Sequence, residues 1–196
     1  FDKKNLRIPE NKFIFACFNN SYKITPDIFK CWMRILIKNQ QSILWLLKSN
    51  DQNEKNLAEE AKREGVNPNR IFFANRVSVE EHIKRMELID LFLDTFPYNA
   101  HTTAREAIKM NVPVLTIKGK TFASRVASSI LKTVGLEDLI VENLNDYIDK
   151  AIKLSNDKNK IKKIKKHLKE DHNINKLFDS KKYTEDLEKS YQSVLR

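Results

Sequence analysis

Glycine is nearly absent: the 196 residues hold three, Gly65, Gly119 and Gly135. A G-x-G-x-x-G dinucleotide fingerprint is therefore impossible, which excludes a dehydrogenase of that type. Gly119-Lys120-Thr121 resembles the end of a P-loop, but no glycine stands upstream at the required spacing. Cysteine is as scarce. Cys17 and Cys31 both lie in apolar segments without metal-ligand spacing, so a reduced, cytoplasmic setting is expected. No apolar run approaches the ~20 residues of a membrane span, and the opening FDKKNLRIPENK lacks the apolar segment of a signal peptide. H-E-x-x-H and G-x-S-x-G motifs are absent too. The first residue is Phe1 rather than methionine, so a piece of a longer protein is expected.

Arginine is the scarce cation. Of 36 basic residues 27 are lysine and 9 arginine, within a net charge of +10. Planar, bidentate phosphate recognition favours arginine, so the charge argues only weakly for a nucleic-acid partner, and none is expected. Much of the excess is late, at Lys158, Lys160, Lys162, Lys163, Lys165, Lys166 and Lys169. Ile161, Ile164 and Leu168 recur among them at helical spacing, which makes these lysines the wet face of an amphipathic helix.

What is present is an alternation of short apolar runs with helical patterns. Residues 13–18, 42–47, 70–74, 91–93, 113–116 and 139–141 read as strands. Thr25-Pro26 makes an N-cap and first helical position before a face of Ile28, Phe29, Trp32, Ile35 and Leu36. Further helices are expected over 54–64, stopped by Gly65, from Ser78 with Glu81 as a capping box, from near Thr103, and over 122–134, stopped by Gly135. The remainder reads as helical. Strand–helix alternation at this spacing implies an α/β, Rossmann-like parallel sheet with helices on both faces. Residues 1–12 read as an entry linker, 13–155 as the Rossmann-like domain and 156–196 as a helical tail packed on it.

Three stretches carry chemistry. In LDTFPYNAHTTARE (93–106) a strand ends at Asp94 and a helix begins near His101-Thr102-Thr103. Ligands of open parallel sheets bind beyond the carboxyl ends of strands, and a helix N-terminus suits a diphosphate. Thr103 and Glu106 also satisfy the pattern of a second capping box, which needs no ligand. FNNSYK (18–23) follows the first strand and brings Lys23 to the same edge, to neutralise a leaving diphosphate or to serve as an ordinary surface lysine. In EEHIKR (80–85), His82 and Arg85 share a helix face, where they can stack on a base or simply form a polar helix start.

FNNSYKITP, SILWLL, EEHIKR, LDTFPYNAHTT and GKTFASRVASSIL occur in that order, followed by LEDLIVENLNDYIDKAIKL and KLFDSKKYTEDLEKSYQSV. From about Leu6 onward this resembles the C-terminal half of the catalytic region of O-linked N-acetylglucosamine (O-GlcNAc) transferases, particularly bacterial ones. The resemblance implies a glycosyltransferase of GT-B architecture, with two Rossmann-like lobes and a UDP-sugar, UDP-GlcNAc, held mainly by the second. It implies inverting, metal-independent transfer to Ser or Thr of acceptor proteins, without a cofactor. By motif position, Lys23 would contact the diphosphate and act catalytically on the departing UDP, with Asn20 near the nucleotide where relatives often carry glutamine. His101, Thr102 and Thr103 would cradle diphosphate and sugar. Glu106 would take the ribose hydroxyls, where aspartate is usual. His82 and Arg85 would flank the uracil, whose edge the backbone near Val77 would read. Val79 stands where relatives can place a ribose-contacting lysine, which lowers the expected nucleotide affinity. The resemblance leaves an N-terminal lobe and tetratricopeptide-type repeats outside this chain, so the 196 residues alone are expected to bind donor without transferring sugar. A protein O-fucosyltransferase, an N-glucosyltransferase of related fold and a non-catalytic nucleotide-binding module remain as alternatives.

Overall fold

The computed structural model describes residue 6 and residues 8–195, apart from the side chains of 171–173. Six strands form one sheet: β1 Phe13–Cys17, β2 Ser42–Leu47, β3 Ile71–Ala74, β4 Leu91–Leu93, β5 Val114–Ile117 and β6 Ile140–Val141. Their order is β3-β2-β1-β4-β5-β6, and each pairing is parallel. The helices are α1 Pro26–Lys38, α2 Asp51–Arg63, α3 Val79–Arg85, α4 Thr102–Lys109, α5 Val126–Thr133, α6 Leu144–Asn156, α7 Lys158–Lys169, α8 Asp171–Phe178 and α9 Ser180–Val194.

Ile14 to Cys17, Leu91 to Leu93 and Val114 to Ile117 are buried on both faces, which is why these strands read as unbroken apolar runs. Thr25 caps α1 as its sequence predicts, its hydroxyl accepting from the Ile28 N–H at 3.3 Å. That hydroxyl also donates to the Phe96 carbonyl at 3.2 Å, tying the start of α1 to the segment after β4. Ile161, Ile164 and Leu168 turn inward along α7, leaving its lysines outside except Lys165, which is half-buried and donates to the Ile89 carbonyl at 2.6 Å, whereas α9 buries none of its residues.

The chain runs from β1 outward to β2 and β3, then returns to lay β4 against the other side of β1. The segments leaving the carboxyl ends of β1 and β4 therefore diverge, and a crevice opens between them. FNNSYK leaves β1 there and DTFPYNAHTT leaves β4.

Candidate functional site

The loop after β4 is folded around one carboxylate. Asp94 is 1% exposed. Its Oδ1 accepts from the N–H groups of Thr95 at 2.8 Å and Ala100 at 2.6 Å and from Asn19 Nδ2 at 3.3 Å, and its Oδ2 accepts from Thr116 Oγ1 at 2.7 Å. Burial pushes its pKa up to about 7, against these four hydrogen bonds, which pull it down. Asn99, fully buried, donates to the Thr95 carbonyl at 2.9 Å, so the loop is closed on itself. Tyr147 of α6 donates to the Asp94 carbonyl at 2.8 Å and accepts from Trp32 Nε1 at 3.3 Å. The helical layer thereby holds the loop from below.

Lys23 ends a single turn of 3₁₀ helix, Ser21–Lys23. Its ammonium donates to the Asn99 carbonyl at 2.9 Å and lies 3.7 Å from the centre of the Tyr98 ring. His101 is the N-cap residue of α4, its ring between Tyr98 at 5.4 Å and Phe122 at 5.8 Å. Its Nε2 is buried and has no hydrogen-bond partner among the described residues. Thr102 and Thr103 form the first turn of α4, and no side chain caps that turn. Its leading N–H groups are thus left for a ligand or water.

The capping-box reading of Thr103 and Glu106 fails. Because His101 is the N-cap residue, Thr103 is already inside the helix, whereas the box needs its hydroxyl residue at the cap itself. The Glu106 carboxylate makes no hydrogen bond or ion pair among the described residues, and burial raises its pKa, an effect that Arg105 opposes.

At α3 the expected capping box does form, Ser78 accepting from the Glu81 N–H at 3.2 Å. Arg85 is 2% exposed, its guanidinium 4.9 Å from the Phe18 ring and donating to the Asn75 carbonyl at 2.6 Å and to His82 Nδ1 at 2.6 Å. A guanidinium only donates, so His82 Nδ1 must accept and the neutral ring carries its proton on Nε2. Burial, and secondarily the Arg85 charge, lower the His82 pKa to about 4, which keeps that tautomer neutral. The His82 ring packs 5.3 Å from Phe18, joining α3 to the end of β1. Val77 and Val79 are exposed beside it, and Asn20 is exposed at the exit of β1. The three stretches thus meet along one sheet edge. Among the described residues, no group of three or more His, Cys, Asp or Glu side chains is arranged to hold a metal.

Residues 2–187 match the family model of glycosyl transferase family 41. The chain belongs to glycosyl transferase family 41. It is 38% identical over 185 residues to the probable UDP-N-acetylglucosamine--peptide N-acetylglucosaminyltransferase SEC of Arabidopsis thaliana, covering 94% of this chain and 19% of that one. It is 33% identical over 182 residues to the UDP-N-acetylglucosamine--peptide N-acetylglucosaminyltransferase of Caenorhabditis elegans, covering 93% and 16%. Among solved structures, a mutant O-GlcNAc transferase of Thermobaculum terrenum superposes with a TM-score of 0.87 at 28% identity, covering 94% of this chain and 36% of that one. The chain thus spans about a fifth of the length of the curated relatives it matches.

Within this family 41 chain, Gly119 has a packing role: a Cβ there would collide with the Ser124 side chain, and Thr121 and Ser124 close the turn on each other. The sequence reading passed over Asn19, Asp94, Asn99 and Tyr147, which organise the loop between Lys23 and His101. A signal existed for two of them. Asn19 directly follows the buried run of β1 and Asp94 directly follows that of β4, where a polar side chain at a strand end has to find partners. Nothing local marks Tyr147, whose hydroxyl reaches back 53 positions.

Proposed function

We propose that this chain is the UDP-sugar-binding lobe of a protein O-GlcNAc transferase, acting within a longer chain. The observation that carries the reading is the bond of the Lys23 ammonium to the Asn99 carbonyl, two residues before the N-cap of α4, whose first turn holds two threonines and no side-chain cap. That combination suits the diphosphate of a nucleotide sugar, whose charge grows as the glycosidic bond breaks. Lys23 keeps one ammonium proton on the Asn99 carbonyl and turns another towards the departing phosphate, while Thr102, Thr103 and the first N–H groups of α4 hold the diphosphate and His101 lies against diphosphate and sugar. His82 presents Nε2–H to the uracil. Arg85 holds the His82 ring in place, and the backbone near Val77 lies at the base edge. Glu106 accepts from the ribose hydroxyls, and Asn20 lies near the nucleotide. No metal and no cofactor enters this scheme, because lysine and helix supply the positive potential.

In-line attack needs an acceptor hydroxyl opposite the leaving group and a closed cleft. We assign that task to a preceding lobe, with helical repeats to present Ser or Thr of the acceptor protein, and place the protein in the cytoplasm. The test is calorimetry of this chain against UDP, UDP-N-acetylglucosamine, UDP-glucose, GDP-fucose and ADP. Tighter binding of UDP and UDP-N-acetylglucosamine supports the proposal. Preference for GDP-fucose points to an O-fucosyltransferase, preference for UDP-glucose to an N-glucosyltransferase, and equal binding of ADP removes the uracil assignment.

A further inference from the structure

The Asn99–Ala100 peptide is held at both of its polar atoms by ionisable side chains. Its carbonyl oxygen accepts from Lys23 Nζ at 2.9 Å, and its N–H donates to Asp94 Oδ1 at 2.6 Å. In a trans peptide these groups point in opposite directions within the peptide plane, so Lys23 and Asp94 stand at opposite edges of one peptide unit. The peptide dipole lies between them with its negative end at the ammonium and its positive end at the carboxylate, an arrangement in which each hydrogen bond polarises the next. Asp94 is itself immobilised by Thr95, Thr116 and Asn19, and the Asn99 side chain is tied to the Thr95 carbonyl. The next residue, His101, begins α4.

We propose that Asp94 is a positioning residue: by gripping the Ala100 N–H it sets the tilt of the Asn99–Ala100 peptide, and through that peptide the place of the Lys23 ammonium relative to the first turn of α4. A lysine stem has four flexible carbons and loses much rotamer freedom when its head is fixed. Here the fixing is done before any ligand arrives, by a carbonyl whose direction depends on the carboxylate behind it. Without Asp94 the Ala100 N–H loses its acceptor and the peptide tilts about the Asn99 anchors that remain, on Thr95 and Ala123, so its carbonyl turns from the ammonium and the cation and the helix start no longer face one point. Such loosening costs affinity through lost preorganisation rather than through a lost contact.

This inference rests on the reading of the crevice as a UDP site. The experiment is a double-mutant cycle on UDP affinity with wild type, Asp94→Ala, Lys23→Ala and the double variant. Asp94→Ala is expected to weaken UDP binding at least tenfold, and the double variant to bind within twofold of Lys23→Ala alone. Asp94→Asn, which keeps an acceptor facing Ala100, should recover affinity to within threefold of wild type. Ile161→Ala, a destabilised core variant on α7, should bind UDP as wild type does. If Asp94→Ala does not fold, Asp94→Ser takes its place in the cycle. Wild-type UDP affinity in the Asp94 variant, or a double variant weakened by the product of the single effects, overturns the inference while leaving the UDP site standing. A wild-type chain that does not bind UDP overturns both.

Discussion

Lowering the pH from 7.5 to 4.5 tests the state assigned to His82. Its folded pKa is about 4 against an ordinary value of 6.5. As pH falls through 6.5 the unfolded chain takes up a proton on this ring, and the folded chain does not until about 4. The stability His82 contributes is therefore present above pH 6.5 and lost between 6.5 and 4. At about 1.36 kcal/mol per pKa unit the whole shift corresponds to roughly 3 kcal/mol, and partial solvation of the half-buried ring reduces that to about 1–2 kcal/mol. Asp94 acts with the opposite sign. With a folded pKa raised from 3.8 to about 7, its contribution is full below 3.8 and lost as pH rises through 7. The two slopes oppose each other over the same range, so the comparison of wild type with His82→Gln is what isolates the histidine. Urea unfolding followed by tryptophan fluorescence at a series of pH values supplies both curves. The stability advantage of wild type over His82→Gln should shrink by about 1–2 kcal/mol between pH 7.5 and 4.5. Parallel curves would show that the ring titrates normally and that Nδ1 does not accept from Arg85.

Lys23→Met should weaken UDP binding about 30-fold, or ~2 kcal/mol, while lowering the melting temperature by no more than ~3 °C; unchanged affinity in calorimetry would make Lys23 a surface residue. Glu106→Gln should leave the melting temperature unchanged or slightly raised, since it removes a half-buried charge that makes no hydrogen bond or ion pair among the described residues, and should weaken UDP binding roughly fivefold by loosening the ribose hydroxyls. Loss of stability with intact UDP binding would reverse that assignment. Tyr147→Phe strips hydrogen bonds from the buried Asp94 carbonyl and Trp32 indole, at a cost of roughly 2 kcal/mol, and a melting temperature within 1 °C of wild type would refute it.

Much of the fold was legible along the chain because its signals are local. The runs read at 13–18, 42–47 and 91–93 became β1, β2 and β4 with at most one residue of difference, since strands buried on both faces leave continuous apolar stretches. Thr25 and Ser78 marked their helices because a cap acts within three residues. The same local logic misled at Thr103, where the spacing to Glu106 fits a capping box but the N-cap lies two residues earlier, at His101. His82 and Arg85 were legible as a pair. That Arg85 lies buried, gripping His82 rather than facing solvent, depends on Phe18 arriving from β1.

By itself, then, the order of residues determined the α/β class, the strand and helix positions, the lysine face of α7 and the family. Each of these rests on periodicity, capping or a contiguous motif. Only the tertiary structure decided that β4 lies beside β1, because strand order is a matter of which apolar edges pair across long loops, and nothing in either strand names its neighbour. That single adjacency places Lys23 within 2.9 Å of the Asn99 carbonyl, 76 positions later, and puts Asn19 against Asp94. The buried carboxylate, its hydrogen bonds and the neutral histidine then follow from burial, which no single side chain sets and the whole packed sheet does.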